Sequence, residues 1–383
     1  VALSVIDPPG RESYSFSRAR GNADGAEMDV SRGWLEIDLD AIVRNARTMA
    51  AHAANILPMV KADAYGLGAV RVVRALEQLA PWGYGVATIE EGRELREAGI
   101  RRPILLFTSV QMDDLAAVRD ASLTPALASA ASIARWTSIA GGAWHLSIDT
   151  GMSRSGVPWD EVGQLATMLR AHPPEGAFTH FHSATLDDGS IAAQEMRFER
   201  ALEALPVIPP VLHAANSGAI VRTGRTRRHV SRPGVFLYGV PVGPPPLAQP
   251  EPVVAMRARI VELRTVRAGE SVSYDAAYRA ERETRIATLP VGYADGYRRA
   301  LGNRAHALVG GRRAPVAGVV TMDMTMLDVS GLDVRIGDVA TLLGCDGAGR
   351  IDVAELAELA NASPYEILTG LNARLPRHHH GGE

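Results

Sequence analysis

The sequence predicts an α/β fold, an N-terminal (β/α)8 barrel followed by a C-terminal mostly-β domain, and three observations predict it. Between residues 57 and 239, short apolar runs alternate with amphipathic helical stretches, the pattern of parallel strands joined by crossover helices. The runs number eight, which suits a closed barrel better than an open doubly wound sheet, and no Gly-x-Gly-x-x-Gly fingerprint opens the first unit. After Pro241 the texture changes to apolar residues in strict alternation, with glycine-rich turns between them.

The bounds agree with this reading. A chain of 383 residues has room for a barrel and a smaller module, and 46% hydrophobic with 22% charged residues is ordinary for a globular protein with a sizeable core. A formal net charge of -3 gives no electrostatic reason to expect nucleic acid or an anionic membrane as partner. Cys345 is the single cysteine, which excludes an intrachain disulfide and a multi-cysteine metal site, and no metal centre is expected. No apolar stretch approaches the roughly 20 residues of a membrane span.

Taken in order, residues 1–30 have no apolar periodicity and read as a flexible tail, with Met28 a candidate start of the folded protein. Trp34 to Leu39 alternates as a strand, and Asp40 is placed to cap a helix carrying Ile42, Val43 and Met49. The eight barrel runs are Leu57–Lys61, Gly83–Thr88, Pro103–Phe107, Ser122–Leu127, Trp144–Asp149, Ala177–His182, Val211–Ala214 and Gly234–Gly239. Residues 31–248 are assigned to the barrel and 249–377 to the β-rich domain, with Pro-Val-Gly-Pro-Pro-Pro between them as a stiff linker. Strands are expected near 254–260, 284–291, 306–309, 314–320, 324–329 and 338–343, then helices at 352–360 and 364–371. Residues 378–383, with a histidine tract, are expected to be a tail.

In such a barrel the active site sits at the C-terminal strand ends, and polar groups gather there. Lys61 ends the first run, Asp149 to Arg154 the fifth, His180 and His182 the sixth. Asn216 and Ser217 follow the seventh, and Ser231-Arg232-Pro-Gly234 enters the eighth. Lys61 reads either as a strand-end lysine reaching solvent or as an amine that forms a Schiff base with an aldehyde cofactor. The corner near Ser217 and Gly234 suits a phosphate, because glycine lets backbone N–H groups approach closely. Arg232 beside it can donate to a ring nitrogen without surrendering its proton, so a pyridine there stays largely unprotonated and favours simple proton movement at Cα.

The segments VKADAYGLG, HLSIDTGMSRSGV, THFHSA, HAANSGA, RPGVFLYG, VSYDAAY, LPVGYADGY and TMDMTM stand in the order and spacing of alanine racemases, and the resemblance runs from about Trp34 to Arg377. It implies a cytoplasmic, pyridoxal 5'-phosphate-dependent homodimer with shared active sites, acting on an amino acid and supplying D-alanine for peptidoglycan. Residue by residue, it implies that Lys61 is the Schiff-base lysine and one base, and that Tyr274, donated by the partner subunit, is the second. Tyr65, Ser217, Gly234 and Val235 resemble phosphate contacts, Arg232 the arginine at the pyridine nitrogen, and His180 the histidine beside the ring. Arg154 matches the arginine near the cofactor hydroxyl and substrate carboxylate. Met322, Asp323 and Tyr293 match residues at the carboxylate and the pocket mouth. Two bases make physical sense, because racemisation removes a proton from one face of Cα and returns it to the other. A tyrosine acting near neutrality needs cationic or hydrogen-bonding help, expected from His180 and Arg232.

Three residues depart from the family pattern. Ser147 stands where a carboxylated lysine often positions the equivalent of Arg154, Ala373 stands where some members place a tyrosine, and His182 replaces a small residue. Ala373 leads to the expectation of a pocket that also admits serine. The rival readings are a racemase of serine or broader specificity, a barrel-type pyridoxal-phosphate decarboxylase and a non-catalytic cofactor carrier.

Overall fold

The computed structural model describes residues 32–224, 228–243 and 248–382. The expected N-terminal tail with Met28 and most of the proline-rich linker's tip lie outside the described residues. Residues 32–383 cluster as one compact unit.

The barrel is built from seven parallel ladder strands in sequential order: Tyr84–Val86, Ile104–Leu106, Thr124–Leu127, His145–Asp149, Gly176–Phe178, Val211–Asn216 and Val230–Arg232. The first predicted run supplies the eighth position through single bridges, Ile56 to Ser231 on one side and Met59 to Gly85 on the other. Pro58 in its middle has no N–H to give a ladder, yet its carbonyl accepts from Gly85 at 2.9 Å, and Leu57 donates to Ser231 at 2.8 Å. The ring is nearly closed. Its strands are almost wholly buried on both faces, as a parallel sheet wrapped in helices requires.

One expected strand was misplaced. Gly234–Gly239 is not a strand: Val230–Arg232 occupies that place, and Val235–Tyr238 is a turn of 3-10 helix. Pro233 and Gly234 break the strand, while Val235 to Tyr238 are all buried, and a fully buried apolar run has the same sequence pattern in either conformation.

The β-rich domain reaches both ends of the chain. Its main sheet runs Arg312–Pro315, His306–Val309, Val339–Asp346, Val254–Arg259, Gly33–Asp38, Arg377–His380, with Gly349–Ile351 paired to Val339–Asp346. The opening strand, expected with the barrel, therefore lies in this sheet, antiparallel to Val254–Arg259 and parallel to Arg377–His380. The histidine tract expected as a tail is that edge strand. The helix Leu39–Ala50 that follows is capped by Asp38, not Asp40: the Asp38 carboxylate accepts from the Ala41 N–H at 2.8 Å. A second sheet joins Glu262–Val266, Thr284–Leu289 and Thr325–Asp328, and the helices Val353–Ala360 and Pro364–Thr369 close the fold. Among the described residues, no helix is long and apolar enough to cross a membrane.

Candidate active site

Lys61 leaves the barrel at its C-terminal mouth and begins a turn of the unusual hand. Ala62, Asp63, Ala64 and Tyr65 have φ of 52°, 54°, 51° and 57°, and Gly66 follows at 87°. A left-handed turn costs an L-residue roughly 1–2 kcal/mol, so the surroundings must hold it. Glu91 accepts from the Ala62 N–H at 2.7 Å, and the Asp63 carboxylate accepts from Ala69 at the same distance. From the far end of the chain, Arg377 donates to the Gly66 carbonyl at 2.9 Å, and His379 Nε2 lies 2.8 Å from the Leu67 carbonyl. A Cβ at Gly66 would stand 2.7 Å from the Leu368 carbonyl. The turn aims Lys61 and Tyr65 into one cavity of about 320 Å³, lined also by Met59, Phe107, Arg154, His180, Asn216, Ser217, Arg232, Gly234 and Tyr365.

At one end of this cavity the Ser217 hydroxyl accepts from the Gly234 N–H at 2.8 Å, beside the Tyr65 hydroxyl. A Cβ at residue 234 would stand 2.7 Å from that hydroxyl, so glycine keeps the corner open. Tyr65 stacks on Tyr238 at 4.6 Å, and Tyr238 is pinned by donating to the Met59 carbonyl at 2.7 Å. Val235 is buried behind the corner; as the first residue of its helical turn, its N–H has no acceptor within that turn.

At the other end Arg232 is 3% exposed. Its Nη2 donates to the carbonyls of Thr179 at 2.7 Å and Ala214 at 3.1 Å, and to His180 Nδ1 at 3.3 Å; its Nη1 donates to His213 Nδ1 at 2.8 Å. Phe107 and Phe178 flank the guanidinium at 5.6 and 5.3 Å from the ring centroids. Burial, then Arg154, pull the Arg232 pKa down to about 9, which still leaves it charged near neutrality. Since His180 Nδ1 accepts, its other ring nitrogen carries the proton; burial, Arg232, Arg154 and Lys61 push its pKa down to about 3. His180 is therefore a neutral hydrogen-bonding group, so of the two residues expected to help a second base Arg232 is the cation and His180 a hydrogen-bonding partner.

Lys61 is open to the cavity, but the walls around its ammonium and the nearby Arg154 lower its pKa, with Glu91 opposing. A lowered pKa gives the free amine that attack on an aldehyde needs. Lys61, Arg154 and Arg232 together make the cavity attractive to anions. An amine, a hydroxyl-lined corner and a buried charged donor at the opposite end fit a phosphorylated pyridine aldehyde.

Eight expected residues thus line one cavity, with Val235 behind its corner, and Tyr274, Tyr293, Met322 and Asp323 do not. Tyr274 is 68% exposed at the tip of the hairpin between Ser271–Val272 and Tyr278–Arg279, not in a core. Met322 is 53% and Tyr293 41% exposed, adjoining through the Tyr293-to-Thr321 and Ala294-to-Met322 backbone hydrogen bonds. Asp323 accepts from Arg374 at 2.8 Å. Sequence reasoning missed Met59, Phe107 and Tyr365; the first two sit in runs read only as strand, and Tyr365 comes from a distant helix. Ser147 is buried in its strand, His182 pairs with Ser183 at 2.7 Å, and neither lines the cavity. Cys345 lies inside the strand Val339–Asp346 and is also absent from the lining.

Residues 37–241 match the family model for the alanine racemase N-terminal domain, and residues 253–379 that for the alanine racemase C-terminal domain. The chain is 39% identical over 376 residues to an alanine racemase of Symbiobacterium thermophilum, covering 91% of this chain and 97% of that one. The fold superposes on the crystal structure of alanine racemase from E. faecalis with a TM-score of 0.85 at 30% identity, covering 91% and 98% of the two chains. It also matches that from Bartonella henselae with covalently bound pyridoxal phosphate, with a TM-score of 0.84 at 30% identity, covering 91% and 100%.

Proposed function

The chain belongs to the alanine racemase family, and from that premise we propose how its own residues carry out the pyridoxal-phosphate-dependent interconversion of L- and D-alanine. The observation that carries the reading is a single cavity holding Lys61 with a lowered pKa, the Tyr65–Ser217–Gly234 corner and the buried Arg232 at its far end. When bound, the cofactor supplies an electron-withdrawing ring that acidifies the Cα proton of an attached amino acid.

The residues do the rest. Lys61 anchors the cofactor aldehyde, while Tyr65, Ser217, Gly234 and the Val235 N–H receive its phosphate. Arg232, fixed by four hydrogen bonds, donates to the ring nitrogen; because it stays charged, it holds that nitrogen unprotonated and moderates the electron sink. That restraint suits a reaction that only moves a proton. Arg154 faces the substrate carboxylate. Lys61 takes or returns the Cα proton on one face, and Tyr274 of the partner subunit does so on the other.

Exposure of Tyr274, Tyr293 and Met322 on the β-rich domain supports a homodimer in which these residues and Asp323 complete the neighbour's site, since exposed aromatic and methionine side chains grouped on one module suit a protein contact. A cytoplasmic enzyme feeding D-alanine to cell-wall synthesis is the physiological setting in keeping with this chemistry. The deciding experiment is a panel of L-amino acids incubated with the purified chain and pyridoxal phosphate and assayed for D-product. Rapid D-alanine formation is expected, and its absence refutes the proposal. Release of CO2 with an amine as product and no D-amino acid would favour the decarboxylase, for which the cavity lining offers no cysteine.

A further inference from the structure

Behind Arg232, away from the cavity, lies a line of buried groups that the roles above leave unused. Arg232 Nη1 donates to His213 Nδ1 at 2.8 Å, His213 Nε2 lies 2.7 Å from His145 Nδ1, and His145 Nε2 faces Glu175 Oε2 at 3.5 Å. Both histidines are wholly buried. Glu175 is half-buried at the opposite end of the barrel, immediately before the strand Gly176–Phe178, in a surface hollow with Trp136, Trp144 and Pro174. The line therefore crosses the core from the C-terminal to the N-terminal face.

Its ends dictate its polarity. Arginine can only donate and a carboxylate can only accept. His213 must accept at Nδ1, so it carries its proton at Nε2 and donates to His145. His145 is then forced into the same tautomer, with its Nε2–H pointing at Glu175. Burial, the leading cause for both rings, holds their pKa values below the ordinary one, so both are neutral at pH 7. At 3.5 Å the last link is not a hydrogen bond: His145 Nε2 is buried with no hydrogen-bond partner among the described residues, and the Glu175 carboxylate is the acceptor it faces, one short shift from bonding it.

The surroundings are shaped for this line. A Cβ on Gly176 would collide with the His145 imidazole, so glycine there makes the room. Phe178 stacks on His213 at 4.9 Å and the Trp82 ring lies 5.4 Å from His145, which walls the line off from water. Arg232 Nη2 has two carbonyls and His180, whereas Nη1 has His213 as its hydrogen-bond acceptor. What fixes His213 thus fixes the outer edge of the guanidinium.

We propose that Glu175, His145 and His213 form a polarised hydrogen-bond wire through the barrel that sets the donor geometry of Arg232 from the opposite face, which makes Glu175 and His145 positioning residues. This deepens the proposed racemase reading and rests on it.

Glu175 carries the test because it is partly exposed, so its replacement leaves the fold intact. Glu175→Gln keeps an acceptor without the charge, and Glu175→Lys puts a donor where an acceptor is needed. The readouts are histidine 15N shifts of the pyridoxal-phosphate-loaded enzyme, which report each ring's tautomer, and kcat and KM for alanine in both directions. The wild type is expected to show His145 and His213 as neutral Nε2–H rings. Glu175→Lys should turn His145 to the Nδ1–H form and lower kcat about tenfold at nearly unchanged KM, the size of effect typical of residues that orient a ligand-binding side chain. Glu175→Gln should restore both. Unchanged tautomers in Glu175→Lys, or changed tautomers with kcat intact, would overturn the wire. A wild-type chain that does not racemise alanine would instead refute the functional reading, and the tautomers would still judge the wire.

Discussion

Replacing Ala62 by glycine should make this enzyme more stable, although glycine usually weakens a folded chain. Ala62 sits at φ 52° and ψ 48° with its methyl exposed, and its N–H bond to Glu91 does not depend on the side chain. Removing the Cβ relieves roughly 1–2 kcal/mol of left-handed strain, while the extra freedom of glycine in the unfolded chain costs roughly 0.5–1 kcal/mol. The net gain is about 0.5–1 kcal/mol. Ala64→Gly is the internal control, since Ala64 has φ 51° but is fully buried, and losing its methyl forfeits about 0.8 kcal/mol. That variant should be close to neutral. The assay is equilibrium urea unfolding at fixed protein and saturating cofactor concentration, because bound cofactor and subunit association both raise apparent stability. Ala62→Gly destabilising by about 1 kcal/mol would refute the reasoning. It would mean that the left-handed turn is not populated in solution, and with it the placement of Lys61 and Tyr65.

Other consequences can be checked in the same enzyme. Lys61→Ala should abolish the visible absorbance of the lysine-linked cofactor, whereas Tyr274→Phe should keep it and slow Cα proton exchange from one enantiomer more than the other; equal slowing of both would tell against bases on opposite faces. His180 has a folded pKa of about 3 against an ordinary value of 6.5, so the unfolded chain binds its proton first as the solution is acidified. Stability should therefore fall as pH drops from about 6.5 towards 3, with His180 contributing up to about 1.4 kcal/mol per pH unit. His180→Asn should lack that share of the slope, and parallel urea-midpoint profiles for the two proteins would contradict the assignment. Serine should be turned over alongside alanine if the methyl at Ala373 leaves space that a tyrosine fills in other members; undetectable serine kcat/KM sinks that idea.

Most of the barrel was legible because its strands and helices repeat a local pattern, and local burial decides which residues are apolar. The all-β texture after Pro241 was readable for the same reason. Where the local pattern is ambiguous, the reading failed. Gly234–Gly239 is apolar throughout and buried throughout, so nothing in its composition separates a strand from a helical turn. Eight residues of the cavity were named from strand ends and from resemblance, because a parallel barrel carries its strand ends to one face whatever the side chains are.

The sequence by itself determined most of the elements, the family and most of the groups at the barrel mouth. Only the tertiary structure decided how those groups are held. Lys61 sits on a left-handed turn closed by His379 and Arg377, which lie 312 and 311 residues from the carbonyls they reach, and the histidine tract that looked like a tail belongs to the strand that presents both. Arg232 is fixed by carbonyls and imidazoles from two other strands, and the burial there makes His180 a neutral hydrogen-bonding partner. Periodicity reports how a residue relates to its near neighbours along the chain; strain, desolvation and hydrogen-bond polarity arise between segments the fold brings together.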